Sequence, residues 1–558
     1  MFLEVRGLKK TYLDGKIMAL NDISFTLGNG EILGVLGGSG AGKSSLLRIL
    51  RGFEPFDSGL IKIDDIEVRP DSPKSTYLEL QEKTAIQLQR NFGLWPDSPA
   101  ENVIRAIRYS ETGEESIPQD EAEYEEYRAK AMELLKIVRL EGRADLWSEV
   151  LSGGEKQRLI VARQIARRPK LLLLDEPGTM TCPETRIDLI DALRRANKEL
   201  DMAIIFASHN PDFHRALAKR MIMIDAGKIA DSGDVDGVLS RYLSKIDAPL
   251  PKTALKGPVA MTFKDVSKVY KLIPYGKVFE LHNTNLEFRR GEITGIIGPS
   301  GAGKTVILRM LAGLEMPDAG EASVLYKDEW IKLQKLGRAS MHARRQIGIL
   351  HQEFDLSYWS RVLELFAAKV GIKDYNMVEG ALERARKAGI SDETVDAIHR
   401  VAEMPDSEIQ AKLREIGIDR DILKELFRSK DPETAKDVAL SALGLMGLGG
   451  EMLDRHVYEL SGGEKVRIAL ALAVIAKPRI LILDEPFGDL DPLTLRKVSN
   501  SLKRIKQSLK PAIVLVSHQL DFVEEVSDRC VLIEDGKVVA DGQPKEVVSR
   551  FMERCERV

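Results

Sequence analysis

The sequence predicts an α/β protein in which one domain plan is laid down twice. Three observations carry this expectation. A glycine-rich loop, Gly37-Gly-Ser-Gly-Ala-Gly-Lys-Ser44, returns as Gly298-Pro-Ser-Gly-Ala-Gly-Lys-Thr305. Each copy follows a short apolar run (Glu31–Leu36, Glu292–Ile297) and precedes a leucine-rich stretch of helical character. A second element, Leu151-Ser-Gly-Gly-Glu155, returns as Leu460-Ser-Gly-Gly-Glu464. An apolar run ending in two carboxylates, Leu171–Glu176, returns as Ile480–Glu485. The spacing is kept as well: Ser152 to Asp175 and Ser461 to Asp484 are both 23 residues, and Asp175 to His209 and Asp484 to His518 are both 34. Unrelated loops do not hold such a register, so the chain reads as a tandem duplication.

Bulk properties agree with two soluble domains. The 558 residues exceed the ~250–300 at which single cores stop growing. The chain is 44% hydrophobic and 30% charged, as ordinary globular proteins are. A net charge of -4 gives no electrostatic case for nucleic acid, and none is expected as a partner. No apolar run reaches the ~18 residues of a membrane span, and the N-terminus lacks a signal-peptide layout. Cys182, Cys530 and Cys555 are too few and scattered for a metal knuckle, an iron–sulfur cluster or a disulfide framework. The expected location is a reducing cytoplasm.

Taken in order, the motifs describe phosphate chemistry. The loops Gly37, Gly38, Ser39, Gly40, Ala41, Gly42, Lys43, Ser44 (with Ser45) and Gly298, Pro299, Ser300, Gly301, Ala302, Gly303, Lys304, Thr305 (with Val306) fit the phosphate-loop pattern in its strand–loop–helix context. Glycines let backbone N–H groups curl round β- and γ-phosphates, and the helix N-terminus adds partial positive charge. Lys43 and Lys304 supply point charges, and Ser44 and Thr305 a hydroxyl for Mg2+. The chain is therefore expected to bind ATP. Asp175 and Asp484, at strand ends, can hold Mg2+, while Glu176 and Glu485 can polarise an attacking water as general base. His209 and His518 each follow a β-rich apolar run (AIIFAS, AIVLVS). An aromatic precedes each loop, Tyr12 by 31 residues and Tyr270 by 34, and a glutamine follows, Gln89 by 46 and Gln352 by 48. The stretch Arg90–Pro96 is about one residue longer than its counterpart, and Gln87 lies nearby.

Tyrosine, phosphate loop, glutamine, LSGGE, Asp-Glu and Ser-His in this order resemble the ATP-binding-cassette family over essentially the whole chain. The resemblance implies two P-loop ATPase domains, each a RecA-like core with an antiparallel β subdomain and a helical subdomain. The proline- and lysine-containing stretch Ser244–Gly257 reads as a short linker, so the two domains are expected at 1–243 and 258–558. The resemblance also implies that Tyr12 and Tyr270 stack on adenine, that Gln89 and Gln352 complete the metal and water shell, and that His209 and His518 reach the γ-phosphate. It further implies that Ser152, Gly153, Gly154 and Glu155 close over the ATP held by Lys304, Asp484 and Glu485. Ser461, Gly462, Gly463 and Glu464 do the same for the ATP held by Lys43, Asp175 and Glu176.

Two departures from the family pattern stand out. The second half carries Asp491-Pro492 after its strand carboxylates, whereas the first has Cys182-Pro183, so the Lys304 site is expected to hydrolyse more slowly. Gln352 to Ser461 is 109 residues against 63 for Gln89 to Ser152, a surplus of 46 expected near 373–431 as short amphipathic helices. Gly389 and Gly417 mark helix ends there, and Ser391 and Asp419 helix starts. The surplus is either a self-packed decoration or a docking surface. Two intact cassettes, a short linker, the enlarged second helical subdomain and no membrane segment are most similar to the ATP-binding A component of the methyl-coenzyme M reductase activation system of methanogenic archaea. That resemblance implies a cytoplasmic partner complex of methyl-coenzyme M reductase and redox activation proteins. The alternative is the ATP-hydrolysing subunit of a membrane transporter.

Overall fold

The computed structural model describes all residues except 1, 14, 39, 89–92, 179–182, 273–275, 300, 353, 355, 416, 489 and 556–558. The chain divides into two compact units, Met1–Ile246 with Asp491–Leu493, and Asp247–Leu490 with Thr494–Val558.

Each unit contains the same two sheets. In the first, a four-stranded antiparallel sheet runs in the order Ile17–Leu27, Leu3–Tyr12, Ser58–Ile63, Ile66–Val68. Beside it lies a six-stranded sheet ordered Lys228–Asp234, Arg220–Asp225, Ile32–Leu36, Ala203–Ala207, Leu171–Asp175, Thr84–Gln87. Five of its strands are parallel, and Lys228–Asp234 closes one edge antiparallel. In the second unit the corresponding six strands are Lys537–Gly542, Arg529–Glu534, Ile293–Ile297, Ala512–Val516, Ile480–Asp484, Ile347–Leu350. The sequence explains the parallel arrangement. Leu171–Asp175 and Ile480–Asp484 are buried at every position, the unbroken apolar run of a strand covered on both faces.

Two cores sandwich each sheet. In the first unit, one core joins the antiparallel sheet to the helix Lys43–Leu50 through Leu20, Leu46, Leu47 and Ile61. The other joins the opposite face to the helices Pro99–Thr112, Glu121–Ile137 and Gly153–Ile165. The second unit repeats this with Lys304–Leu311 on one side and Val362–Lys373, Pro432–Leu445 and Gly462–Val474 on the other.

The surplus residues form four helices, Tyr375–Lys387, Asp392–Val401, Asp406–Glu415 and Arg420–Leu426. Ser391 and Asp419 cap helices as expected, and Gly389 and Gly417 have φ of 74° and 72° just beyond helix ends. Val378, Leu382, Val395, Ile398 and Leu426 build a small core of their own. The insertion is more than a self-packed decoration, however. Val401, Met404, Ile409 and Leu413 join the core that holds Ile307, Leu311 and Ile349 of the parent cassette. A buried polar cluster reinforces the join: Asp396 pairs with Arg344, Lys373 lies 2.5 Å from Glu403, and Arg400 donates to the carbonyls of Leu333 (2.8 Å) and Lys335 (3.2 Å).

The connecting stretch is strapped to the second unit rather than left free. Leu250 N–H donates to Asn500 Oδ1 (2.8 Å), and Lys252 Nζ donates to the carbonyls of Glu524 (2.7 Å) and Ser527 (2.9 Å).

Candidate nucleotide-binding sites

The phosphate loops adopt the shape their glycines permit. Gly42 and Gly303, at the N-caps of their helices, sit at φ 103° and 92°, a region costly for any residue with a Cβ. A Cβ on Gly42 would also lie 2.3 Å from the Ala19 carbonyl oxygen. Lys43 Nζ donates to the carbonyls of Gly37 (2.8 Å) and Gly38 (3.2 Å), and Lys304 Nζ to those of Gly298 (3.0 Å) and Pro299 (2.9 Å). Gly40, Ala41, Ser44, Ser45, Gly301, Ala302, Thr305 and Val306 complete the loops and first helical turns, whereas Ser39 and Ser300 lie outside the described residues.

The strand carboxylates arrive beside them. In the first unit Glu176 Oε1 is 3.6 Å from Lys43 Nζ, and Glu176 Oε2 is 2.8 Å from His209 Nδ1. In the second, Glu485 Oε1 is 3.0 Å from His518 Nε2. Both glutamates have positive φ, 51° and 49°, uncommon for a non-glycine residue and a form of strain that gathers at working sites. Burial would raise the Glu176 carboxyl, but His209 and Lys43 outweigh it and hold the group below its ordinary range. Asp175 moves the other way: burial, with Glu176 adding repulsion, raises it. Burial, helped by Glu485, pushes Asp484 up to about 6. In the first unit the neighbouring carboxylates are thus pushed in opposite directions, which keeps Glu176 ionised, as a proton-accepting group must be.

The donor set suits a hard cation. Thr305 Oγ1 donates to Asp484 Oδ1 at 3.2 Å, and Ser44 hydrogen-bonds Asp175. Asp175 Oδ1 is buried with no hydrogen-bond partner, an acceptor that a cation would satisfy. These are oxygen ligands only, as Mg2+ prefers.

Register identifies the glutamine that matches Gln352. Gln87 pairs with Leu174 in its ladder and Leu350 with Leu483 in the other, so Gln87 is the counterpart of Leu350. Gln352 follows Leu350 by two residues and Gln89 follows Gln87 by two. Gln89 itself lies outside the described residues, as does Cys182.

Each LSGGE element starts a helix by the same device. Ser152 Oγ accepts the Glu155 N–H (3.3 Å) while Glu155 Oε2 accepts the Ser152 N–H (2.9 Å); Ser461 and Glu464 repeat this at 3.3 and 2.8 Å. The glutamate is thus a partner in a capping box, which satisfies two of the helix's otherwise orphaned donors. The motif's two glycines do different jobs. A Cβ on Gly153 would meet nothing within 4 Å, whereas one on Gly154 would lie 1.7 Å from Thr185 Cγ2. Gly463 has the same role, its Cβ position 2.7 Å from Thr494 Cγ2, and Gly462 precedes it as Gly153 precedes Gly154.

The expected adenine-stacking tyrosines are held by their hydroxyls. Tyr12 donates to Glu54 and shares a 2.9 Å hydrogen bond with Ser45; Tyr270 donates to Glu315. Lys10 stands 5.1 Å over the Tyr12 ring and Lys268 stands 5.6 Å over that of Tyr270. Each glutamate also meets an arginine of the phosphate-loop helix: Arg48 Nη1 is 3.1 Å from Glu54, and Arg309 Nε is 3.7 Å from Glu315. Reading the sequence for motifs missed these four residues. The repeat itself contained the signal, since the arginines follow the loop lysines by five residues and the glutamates by eleven in both halves.

Comparison with known proteins agrees with this geometry. The chain belongs to the ABC transporter family, whose model matches residues 20–179 and 281–488. It is 42% identical to an uncharacterized ABC transporter ATP-binding protein of Methanocaldococcus jannaschii, over 99% of this chain and 97% of that protein. A second such protein of the same organism is 31% identical over 99% and 97%. Among solved structures, the archaeal ribosome recycling factor aABCE1, in its complex with ribosomal stalk protein aP1, matches with TM-score 0.58 at 20% identity, covering 98% of this chain and 92% of that one. RNase-L Inhibitor matches with TM-score 0.57 at 19% identity, covering 99% and 93%. These two likenesses speak for the tandem-cassette fold. Among the described residues no helix is long and apolar enough to cross a membrane.

Proposed function

We propose that the protein is a twin-cassette ATPase that binds one Mg-ATP per phosphate loop and hydrolyses it to drive a partner complex. The observation that carries this reading is the duplicated junction of loop lysine, strand carboxylates and histidine. In each cassette the lysine and loop amides bind the phosphates. Ser44, Asp175 and Gln89, or Thr305, Asp484 and Gln352, would hold Mg2+, which when bound neutralises charge on the phosphates. Glu176 or Glu485 accepts a proton from the attacking water, and His209 or His518 orients that glutamate and contacts the γ-phosphate. Tyr12 and Tyr270 receive adenine on the ring face not covered by lysine. By family resemblance, Ser461 completes the Lys43 site and Ser152 the Lys304 site. ATP binding then favours a closed form and hydrolysis an open one, and a partner that distinguishes the two receives the work.

The separate variants Glu176→Gln and Glu485→Gln test the chemistry. Each is expected to retain nucleotide while losing turnover at its own site, by about 10²–10⁴-fold for a general base. Full turnover in the double variant would refute the assignment.

For the partner, the reading is a cytoplasmic complex that reductively activates methyl-coenzyme M reductase. Its support is the layout of two intact cassettes, a short linker and an enlarged second helical subdomain. An anoxic pull-down with the double glutamine variant should retain soluble reductase and redox proteins. Retention of an integral membrane permease instead would favour the transporter reading.

A further inference from the structure

The two cassettes share a chain of contacts from tyrosine to glutamate to phosphate-loop arginine, but the second has one member more. Arg309, on the helix Lys304–Leu311, is gripped at both ends of its guanidinium by Glu408, Nη1 to Oε1 at 2.8 Å and Nη2 to Oε2 at 2.7 Å. Glu408 belongs to the inserted helix Asp406–Glu415, so the first cassette, which lacks the insertion, leaves Arg48 paired with Glu54 alone among the described residues. A planar, two-pronged pair fixes orientation as well as distance. The insertion reaches the site a second time: His351 Nε2 lies 2.8 Å from the Glu403 carbonyl, one residue before Gln352. Both tethers land on elements that carry candidate metal and phosphate groups, and Arg309 is near enough to Asp484 for its charge to favour the carboxylate.

We propose that Glu408 is a positioning residue of the second nucleotide site, acting through Arg309 to set where the phosphate-loop helix and the Tyr270–Glu315 pair stand, and hence that site's affinity for nucleotide. The inference rests on the reading of the Lys304 cassette as a nucleotide site. It makes the insertion a control element for one cassette only, so that a partner bound to the insertion alters the second site and spares the first.

The test uses the full chain in two backgrounds, Lys43→Ala to isolate the second site and Lys304→Ala to isolate the first. A fluorescent ATP analogue is titrated with and without Mg2+, and melting temperature is recorded for each variant. In the Lys43→Ala background, Glu408→Gln is expected to weaken binding roughly three- to tenfold, within the range seen when residues off the site modulate it. In the Lys304→Ala background the same change should leave affinity unaltered. Glu415→Gln, on the same inserted helix, should do nothing in either. Arg309→Lys keeps the charge but loses the fork, and should weaken the second site with its melting temperature unchanged. Unaltered affinity in Glu408→Gln, equal weakening at both sites, or weakening confined to variants that melt early would each overturn the proposal. Absence of binding by the Lys43→Ala parent would overturn the nucleotide reading of the second cassette and this inference with it.

Discussion

Gly154→Ala isolates what the LSGGE element asks of its second glycine. The added Cβ would stand 1.7 Å from Thr185 Cγ2, 2.8 Å from Thr185 Cβ and 2.9 Å from Thr185 Oγ1. Comfortable carbon–carbon contact is ~3.5–4.0 Å, so the helices Gly153–Ile165 and Pro183–Glu199 must separate by about 2 Å or Thr185 must leave its rotamer. Overpacking of this kind costs about 1–3 kcal/mol, against at most about 1 kcal/mol gained from alanine over glycine in a helix. The net loss, up to about 2 kcal/mol even at full offset, corresponds to a fall of up to roughly 8 °C in the melting of a unit this size. Gly153→Ala is the internal control: its Cβ meets nothing, so it should be neutral or slightly stabilising. Thr185→Ser removes the methyl at 1.7 Å but keeps Cβ and Oγ1, and should restore part of the loss in the double variant, a coupling of about 0.5 kcal/mol or more. Thermal and urea unfolding of the four variants measure this. The packing argument fails if Gly154→Ala is no more damaging than Gly153→Ala, or if Thr185→Ser gives no relief.

Three further outcomes follow from the same geometry. Asp484 has a folded pKa of about 6, above the unfolded value of 3.8, so its burial penalty is absent well below pH 4, grows between about pH 4 and 6, and is fully present above 6. Asp484→Asn should therefore raise nucleotide-free stability at pH 7.5, by at most about 3 kcal/mol, and leave it nearly unchanged near pH 3; equal effects at both would contradict the assignment. Asp396→Ala leaves the fully buried Arg344 uncompensated and should destabilise the insertion by about 3–5 kcal/mol, read as faster hydrogen exchange over 375–426 and partly relieved by Arg344→Met; unaltered exchange would refute it. Cys182→Asp, restoring the carboxylate that the second half has at Asp491, should raise turnover at the Lys304 site, and no change at either site would remove the proposed asymmetry.

Much of this architecture could be read from the chain because duplication supplied an internal standard. Matched spacing pairs Ser152 with Ser461 and Asp175 with Asp484 before any coordinates, and helix punctuation at Gly389, Ser391, Gly417 and Asp419 outlines the insertion. What stayed hidden depended on packing at a distance. Glu408 lies 99 residues beyond Arg309, and nothing local to either predicts their pairing. Nothing local to Asp396 or Arg344 in the sequence foretells that folding buries both. The glutamate of LSGGE could be assigned to a cap from its spacing to serine, but the unequal duties of Gly153 and Gly154 appear only once Thr185 is placed beside them.

The account stands most directly on stoichiometry. Equilibrium dialysis of the Glu176→Gln/Glu485→Gln chain against labelled Mg-ATP should give two nucleotides per chain, falling to one with Lys43→Ala or Lys304→Ala and to none with both. A plateau of one nucleotide in the chain with both lysines intact, or two nucleotides retained after both lysines are gone, would contradict it.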